Sequence, residues 1–139
     1  MRWRILVVME SPQAGRATER SLIAVVDDDE SVRESLPDLI QEFGFAARAF
    51  SSAEELLASD SIGRIRCLVL DIGMPGMNGL NLQRVLNDRG LKIPIIFITA
   101  QKDDGLRARA FAQGAAGFLI KPFSDTALLE ALNTALRLN

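Results

Sequence analysis

Five short apolar runs recur along this chain at helix-length intervals, and four of them end on a residue that can do chemistry. Leu22–Val26 runs into Asp27-Asp28-Asp29, Cys67–Leu70 into Asp71, Pro94–Ile98 into Thr99 and Ala116–Ile120 into Lys121; Ala46–Phe50 is the fifth run. Apolar runs of this length, spaced by helical segments, fit strands buried on both faces of a parallel sheet. Ligands bind such sheets outside the carboxyl ends of the strands. The pattern thus predicts one sheet edge carrying carboxylates, a hydroxyl and an ammonium group. Carboxylates suit Mg²⁺, and Lys with Thr suits a phosphoryl group.

The intervening segments read as helices. Val32, Leu36, Leu39, Ile40 and Phe43 keep helical spacing from about Ser31 to Phe43, across Pro37, and Gly44 fits the position after the helix. Ser52-Ala53-Glu54-Glu55 is a capping box opening a short helix through Leu57. Met74-Pro75-Gly76-Met77-Asn78-Gly79 is a loop by its turn residues. Helices follow over Leu80–Arg89, Asp103–Gln113 and, capped by Ser124, from Asp125 to about Leu138. The result is an α/β chain of five βα units in one domain.

Composition narrows the chemistry. The 139 residues carry no His, which removes His-based acid–base catalysis, His metal sites and Ser–His or Cys–His nucleophiles. A formal charge of −2 gives no general argument for nucleic-acid binding. Cys67 is the only cysteine. A disulfide framework is excluded, a reduced cytoplasmic setting is expected, and Cys67 reads as a core residue. No apolar run approaches the roughly 20 residues of a membrane span.

Three consecutive acids in an extended segment cannot all face one ion. Asp29 and Glu30 read as helix-start acids favoured by the macrodipole. Asp27 and Asp28 read differently, because Asp71 arrives at a neighbouring strand end. Gathered carboxylates repel one another unless a hard cation sits among them, and Mg²⁺ typically uses one or two carboxylates, water and a phosphate.

With these residues in order, Leu22–Asn139 resembles the receiver domain of two-component response regulators. The resemblance is carried by Asp27-Asp28, by Asp71 with Met74-Pro75-Gly76-Met77-Asn78-Gly79, by Thr99-Ala100, and by Gly117-Phe118-Leu119-Ile120-Lys121-Pro122-Phe123. The wording is similar to the nitrogen-fixation regulator type, whose receivers often precede a helix-turn-helix output domain. It implies a doubly wound, flavodoxin-like five-stranded parallel sheet of order 2-1-3-4-5. It implies that Asp71 accepts a phosphoryl group from the phosphohistidine of a sensor histidine kinase. Asp28, Asp71 and the Gly73 carbonyl would ligate Mg²⁺, with Asp27 acting largely through water. Lys121 would pair with Asp71 at rest and with a phosphoryl oxygen afterwards. Thr99 would bond the phosphoryl group, and Phe118 would occupy an aromatic switch position. The switch would reshape the face of the fourth helix, fifth strand and fifth helix, where a second copy of the chain would bind. No enzyme activity beyond phosphoryl transfer onto and off the chain itself is implied, nor direct contact with nucleic acid or membrane. Two departures stand out: Gly73 where many receivers have Asn, and Phe118 where Tyr is commoner.

Other readings fit less well. A receiver-like docking module that ignores phosphate has no use for the full acid set and Lys121. An aspartyl phosphatase adds a substrate-covering cap for which the length leaves no room. A flavin-binding protein wants a phosphate-cradling loop after the first strand, where this chain has acids. Residues 1–21 stand apart: Arg2-Trp3-Arg4 precedes Ile5–Met9 and a polar stretch, read as an extension or docking arm before a receiver over 22–139. No DNA-binding segment follows Leu138-Asn139, so a stand-alone receiver or a domain boundary is expected there. The Lys121–Pro122 bond is expected to be cis, since X–Pro is where cis costs little.

Overall fold

The computed structural model describes residues 20–137; the expected N-terminal extension lies outside the described residues up to position 19. The chain runs β1 (Leu22–Val26), α1 (Glu30–Glu42), β2 (Ala46–Phe50), α2 (Ala53–Leu57), a 3₁₀ turn (Ile62–Arg64), β3 (Ile65–Asp71), α3 (Gly79–Asp88), β4 (Ile95–Thr99), α4 (Asp104–Ala112), β5 (Gly117–Ile120) and α5 (Asp125–Arg137). The strands form one five-stranded sheet in the order β2-β1-β3-β4-β5. Every pairing is parallel, with Val26 opposite both Phe50 and Leu70, Asp71 opposite Ile98, and Thr99 opposite Ile120. This is the expected doubly wound order.

Alternation along each strand divides the core in two. Ile23, Val25, Cys67, Val69, Ile96 and Ile98 pack with Leu36 and Ile40 of α1 and with Leu128, Leu132 and Ala135 of α5. Ala24, Val26, Leu68, Leu70, Ile95 and Phe97 pack on the other face with Leu56, Leu80, Leu82, Leu86 and Ala110 from α2, α3 and α4. Each fully buried aliphatic side chain contributes about 1.5–3 kcal/mol relative to exposure. Cys67 belongs to this core, and burial pushes its thiol up to about 12.

Helix ends follow their sequence signals. Asp29 caps α1 by accepting from the Ser31 N–H at 2.9 Å, Ser52 caps α2 from the Glu55 N–H at 3.0 Å, and Ser124 caps α5 from the Ala127 N–H at 3.0 Å. The α2 capping box closes one residue early: Glu55 Oε1 accepts from the Ser51 N–H at 2.6 Å. Gly44 follows α1 at φ +102, a left-handed conformation in which a Cβ would strain the chain. α1 continues as one helix through the buried Pro37.

Most element ends lie within a residue of the sequence reading, and the larger differences fall at the start of β3. β3 begins at Ile65, not Cys67, because Arg66 interrupts the apolar run while its neighbours stay buried on both sides. The preceding 3₁₀ turn is carried by backbone bonds such as Arg64 N–H to Ser61 O at 2.8 Å, with no periodicity to announce it. The Lys121–Pro122 peptide is cis, as expected.

Candidate functional site

The strand order reverses at β1, which lies between β2 and β3. Helices leave toward opposite faces on either side of such a switch point, opening a crevice at the carboxyl ends of the strands. Asp27 follows β1 and Asp71 ends β3, so both stand at the mouth of that crevice. Asp27, Asp28 and Asp71 each offer a carboxylate oxygen within 4.8 Å of the others. Asp27 is fully buried, Asp71 nearly so, and Asp28 is exposed.

Asp27 is the most engaged of the three. Its Oδ1 accepts from the Asp29 N–H at 2.9 Å, and its Oδ2 accepts from Lys121 Nζ at 2.9 Å. The Arg33 guanidinium donates to the Asp27 carbonyl at 3.0 Å. Asp71 Oδ1 accepts from the Gly73 N–H at 3.1 Å. Among the described residues, Asp71 Oδ2 and the Asp28 carboxylate carry no hydrogen bond. The free acceptor oxygens therefore belong to the two residues that the resemblance gives as direct ligands, while both Asp27 oxygens are occupied.

The pairing of Lys121 corrects one expectation. Its ion pair is with Asp27, not Asp71. Asp27 is the acid with no solvent exposure, and an uncompensated buried carboxylate is the costlier one to leave unpaired. Burial lowers the Lys121 pKa, but the hydrogen bond and charge of Asp27, with the charge of Asp71, outweigh it and hold the ammonium protonated above its ordinary range. Asp71 moves the other way for a carboxyl group. Burial raises its pKa above the ordinary value, the charges of Asp27 and Asp28 add to this, and the Gly73 N–H and Lys121 oppose it. Asp71 is thus a mostly buried carboxylate with one oxygen unbonded among the described residues, in the field of the Lys121 ammonium group.

Thr99 is buried at the end of β4, and its hydroxyl accepts from the Gln101 N–H at 3.1 Å. Phe118 is buried in β5, with the Arg107 guanidinium 5.9 Å from its ring centre. Arg107 also lies 5.1 Å over Phe111. Asp29 stands apart as the α1 cap; its carboxyl is held below the ordinary range by the Ser31 hydroxyl and N–H. Sequence reasoning did not single out Arg33, Arg107 or Glu54. Glu54 Oε2 accepts from the Met77 N–H at 3.3 Å and so ties α2 to the loop after β3. Glu54 lies inside the α2 capping box, but its reach to the Met77 N–H, like the contacts of Arg33 and Arg107, depends on elements meeting in space.

The donor set fits a hard divalent cation. It is all oxygen, two of its carboxylates have unused acceptors, and three acids lie together against a single lysine.

Comparison with known proteins agrees with this geometry. Residues 23–133 match the model of the response regulator receiver domain. The transcriptional regulatory protein TdiR of Thauera aromatica is 42% identical over 127 residues, covering 91% of this chain and 56% of TdiR. FixJ of Rhizobium meliloti is 41% identical over 113 residues, 81% of this chain and 55% of FixJ. The chain thus spans about half the length of the curated relatives it matches. The crystal structure of FixJ-N superposes with a TM-score of 0.77 at 38% identity, over 86% of this chain and 96% of that one. The response regulator StyR gives a TM-score of 0.79 at 44% identity, over 86% and 61%.

Proposed function

This chain belongs to the response regulator receiver family of two-component signalling, and on that footing we propose that Asp71 is its phosphoacceptor. The observation that carries the proposal is the meeting of Asp27, Asp28 and Asp71 within 4.8 Å beside Lys121. An Asp71 oxygen attacks the phosphorus of a phosphohistidine on a sensor kinase. The P–N bond breaks as the P–O bond forms, and the released imidazole takes up a proton. Phosphoryl transfer is mainly positioning and charge neutralisation. Lys121 Nζ has donors beyond the one given to Asp27 and turns one to a phosphoryl oxygen. Thr99 exchanges its contact with the Gln101 N–H for a donated bond to another phosphoryl oxygen. Bound Mg²⁺ supplies positive charge to the transferring oxygens. Asp28, Asp71 and the Gly73 carbonyl would hold it, with Asp27 reaching it through water.

The switch reads out on α4, β5 and α5. Phe111 and Ile120 are the exposed large apolar side chains among the described residues, and they belong to α4 and β5. Apolar groups exposed on one face support docking of a second copy there once Thr99 and Phe118 shift. In the complete protein, this face would pass the signal to an output region. The cytoplasm is the expected compartment, and no helix among the described residues is long and apolar enough to cross a membrane.

Incubation with acetyl phosphate and Mg²⁺, read by mass spectrometry of the intact chain, tests the assignment. Wild type and Asp29→Asn gain the mass of one phosphoryl group, and Asp71→Asn does not. Equal labelling of Asp71→Asn would overturn it.

A further inference from the structure

Arg107 reaches from α4 across to β5. Its guanidinium carbon lies 5.1 Å from the ring centre of Phe111, one turn further along the same helix, and 5.9 Å from that of Phe118. A cation at such distances over an aromatic face is attracted by the ring. Among the described residues, Arg107 forms no ion pair with a carboxylate. The guanidinium is engaged by rings rather than by acids.

The attachment of α4 shows why this contact matters. Ala110 is the buried residue of the helix, and Leu106 packs half-buried against the same core cluster, which also holds Phe118. The side-chain hydrogen bonds that reach α4 from α3 serve its carboxyl end. Gln83 Nε2 donates to the Ala110 carbonyl at 3.3 Å, and Asn87 Nδ2 donates to the carbonyl of Gln113, the residue after the helix, at 3.3 Å. Contact between the first half of α4 and the sheet falls to Leu106 and Arg107. Phe118 is 8% exposed, stands opposite Phe97 of β4, and has no hydroxyl by which to anchor its ring. Its one charged neighbour of this kind among the described residues is Arg107.

On the reading that phosphorylation of Asp71 shifts Thr99 and Phe118, we propose that Arg107 is the positioning residue of this switch: its guanidinium, braced on Phe111, holds the Phe118 ring in the resting place. The brace lies within one helix, between residues four apart, so it survives movement of β5. The contact with Phe118 spans two elements and is lost when the ring moves. A contact made in one state only favours that state by its own free energy. Where the resting state dominates, it lowers the affinity for a phosphoryl mimic by the same factor.

The test is titration of beryllofluoride with Mg²⁺ into the chain, followed by backbone NMR. In wild type the mimic shifts the amides of Asp71, Thr99 and Phe118. Arg107 is exposed, so its replacement leaves the core intact. Arg107→Ala and Arg107→Met, which both lose the cation, bind the mimic about two- to fivefold more tightly, the size of one exposed cation–π contact. Arg107→Lys keeps a cation and falls between them and wild type. Arg109→Ala, on the same helix, binds as wild type does. Before any mimic is added, the Phe118 amide of Arg107→Ala already lies part of the way along the line from the free to the saturated wild-type position, which a loss of helix packing alone does not produce. Equal or weaker binding in Arg107→Ala, or wild-type affinity in Arg107→Met, would overturn the proposal while the shift at Asp71 leaves the phosphoacceptor assignment standing. No shift at Asp71 in wild type would overturn that assignment and this inference together.

Discussion

Asp27 and Asp71 are carboxylates at adjacent strand ends with opposite work. Asp27 has every oxygen committed, to the Asp29 N–H and to Lys121, and so fixes the lysine in place. Asp71 keeps one oxygen unbonded among the described residues, and its environment does not favour its charge. Burial first, then the charges of Asp27 and Asp28, raise its pKa above the ordinary 3.8. The native state therefore holds this proton more tightly than the unfolded chain does. Stability falls as pH rises from 3.8 through the raised native value, and at neutral pH the ionised group costs the fold free energy. Asp71→Asn is accordingly expected to melt at a higher temperature than wild type at pH 7 without Mg²⁺. The difference should vanish below both pKa values. Thermal melts followed by circular dichroism at the two pH values check this, and a lower melting temperature for Asp71→Asn at pH 7 would contradict it.

The elements hold the site by close approach rather than by many bonds. α3 starts at Gly79, directly under the end of β3. A Cβ there would lie 2.8 Å from the Asp71 carbonyl oxygen, 3.0 Å from Ile72 Cα and 3.2 Å from the Phe97 ring. The Gly79 N–H also donates to the Ile72 carbonyl at 3.1 Å. Two of the three obstructing atoms are backbone, so relief requires the helix to move away from the strand. Gly79→Ala is expected to cost about 1–3 kcal/mol, as overpacking of a close contact does, measured by urea unfolding. Because the shift is at Asp71, its labelling by acetyl phosphate should slow as well. Gly63→Ala, where nothing lies within 4 Å of the added carbon, should leave both near wild type. A Gly79→Ala variant as stable as wild type would show that α3 docks more loosely than this geometry requires.

Across the described residues, two charge clusters stand at opposite ends of the sheet. Acids gather at the carboxyl ends of β1 and β3, and arginines gather at the amino ends. Three carboxylates against one lysine leave negative charge that a divalent cation offsets. Millimolar Mg²⁺ is therefore expected to raise the melting temperature of wild type and to do so far less in Asp28→Ala, since binding to the native state alone stabilises it. Undiminished stabilisation in Asp28→Ala would move the cation elsewhere. The other whole-molecule expectation concerns association. Phe111 and Ile120 are exposed on α4 and β5, and beryllofluoride with Mg²⁺ should shift sedimentation from monomer toward dimer. Phe111→Ser should reduce that shift while leaving the mimic bound. No change in mass at saturating mimic would remove the dimer from the account.

Strand identity, helix caps and the meeting of Asp27, Asp28 and Asp71 at one sheet edge were legible along the chain because each rests on local chemistry. A buried strand must be apolar and must stop, and in this chain four of five stop on Asp, Thr or Lys. Asp29 was readable as a cap because a helix start leaves N–H groups that a neighbouring carboxylate can accept. Other features depended on which elements lie side by side. Lys121 could have paired with any of three acids; the burial of Asp27 between β2 and β3 decided the choice. The first turn of β3 was hidden by Arg66, a charged residue facing outward from a strand otherwise buried. The meeting of Arg48 and Arg64 at Ser61 was invisible for the same reason. Arg48 is 13 residues from Ser61 and Arg64 is 3, a spacing no motif encodes, and only the packing of β2 against the turn before β3 brings both guanidinium groups to one hydroxyl. Hydrophobic periodicity and capping are written residue by residue, whereas the pairing of charges follows from distances in space, and those are set by the strand order.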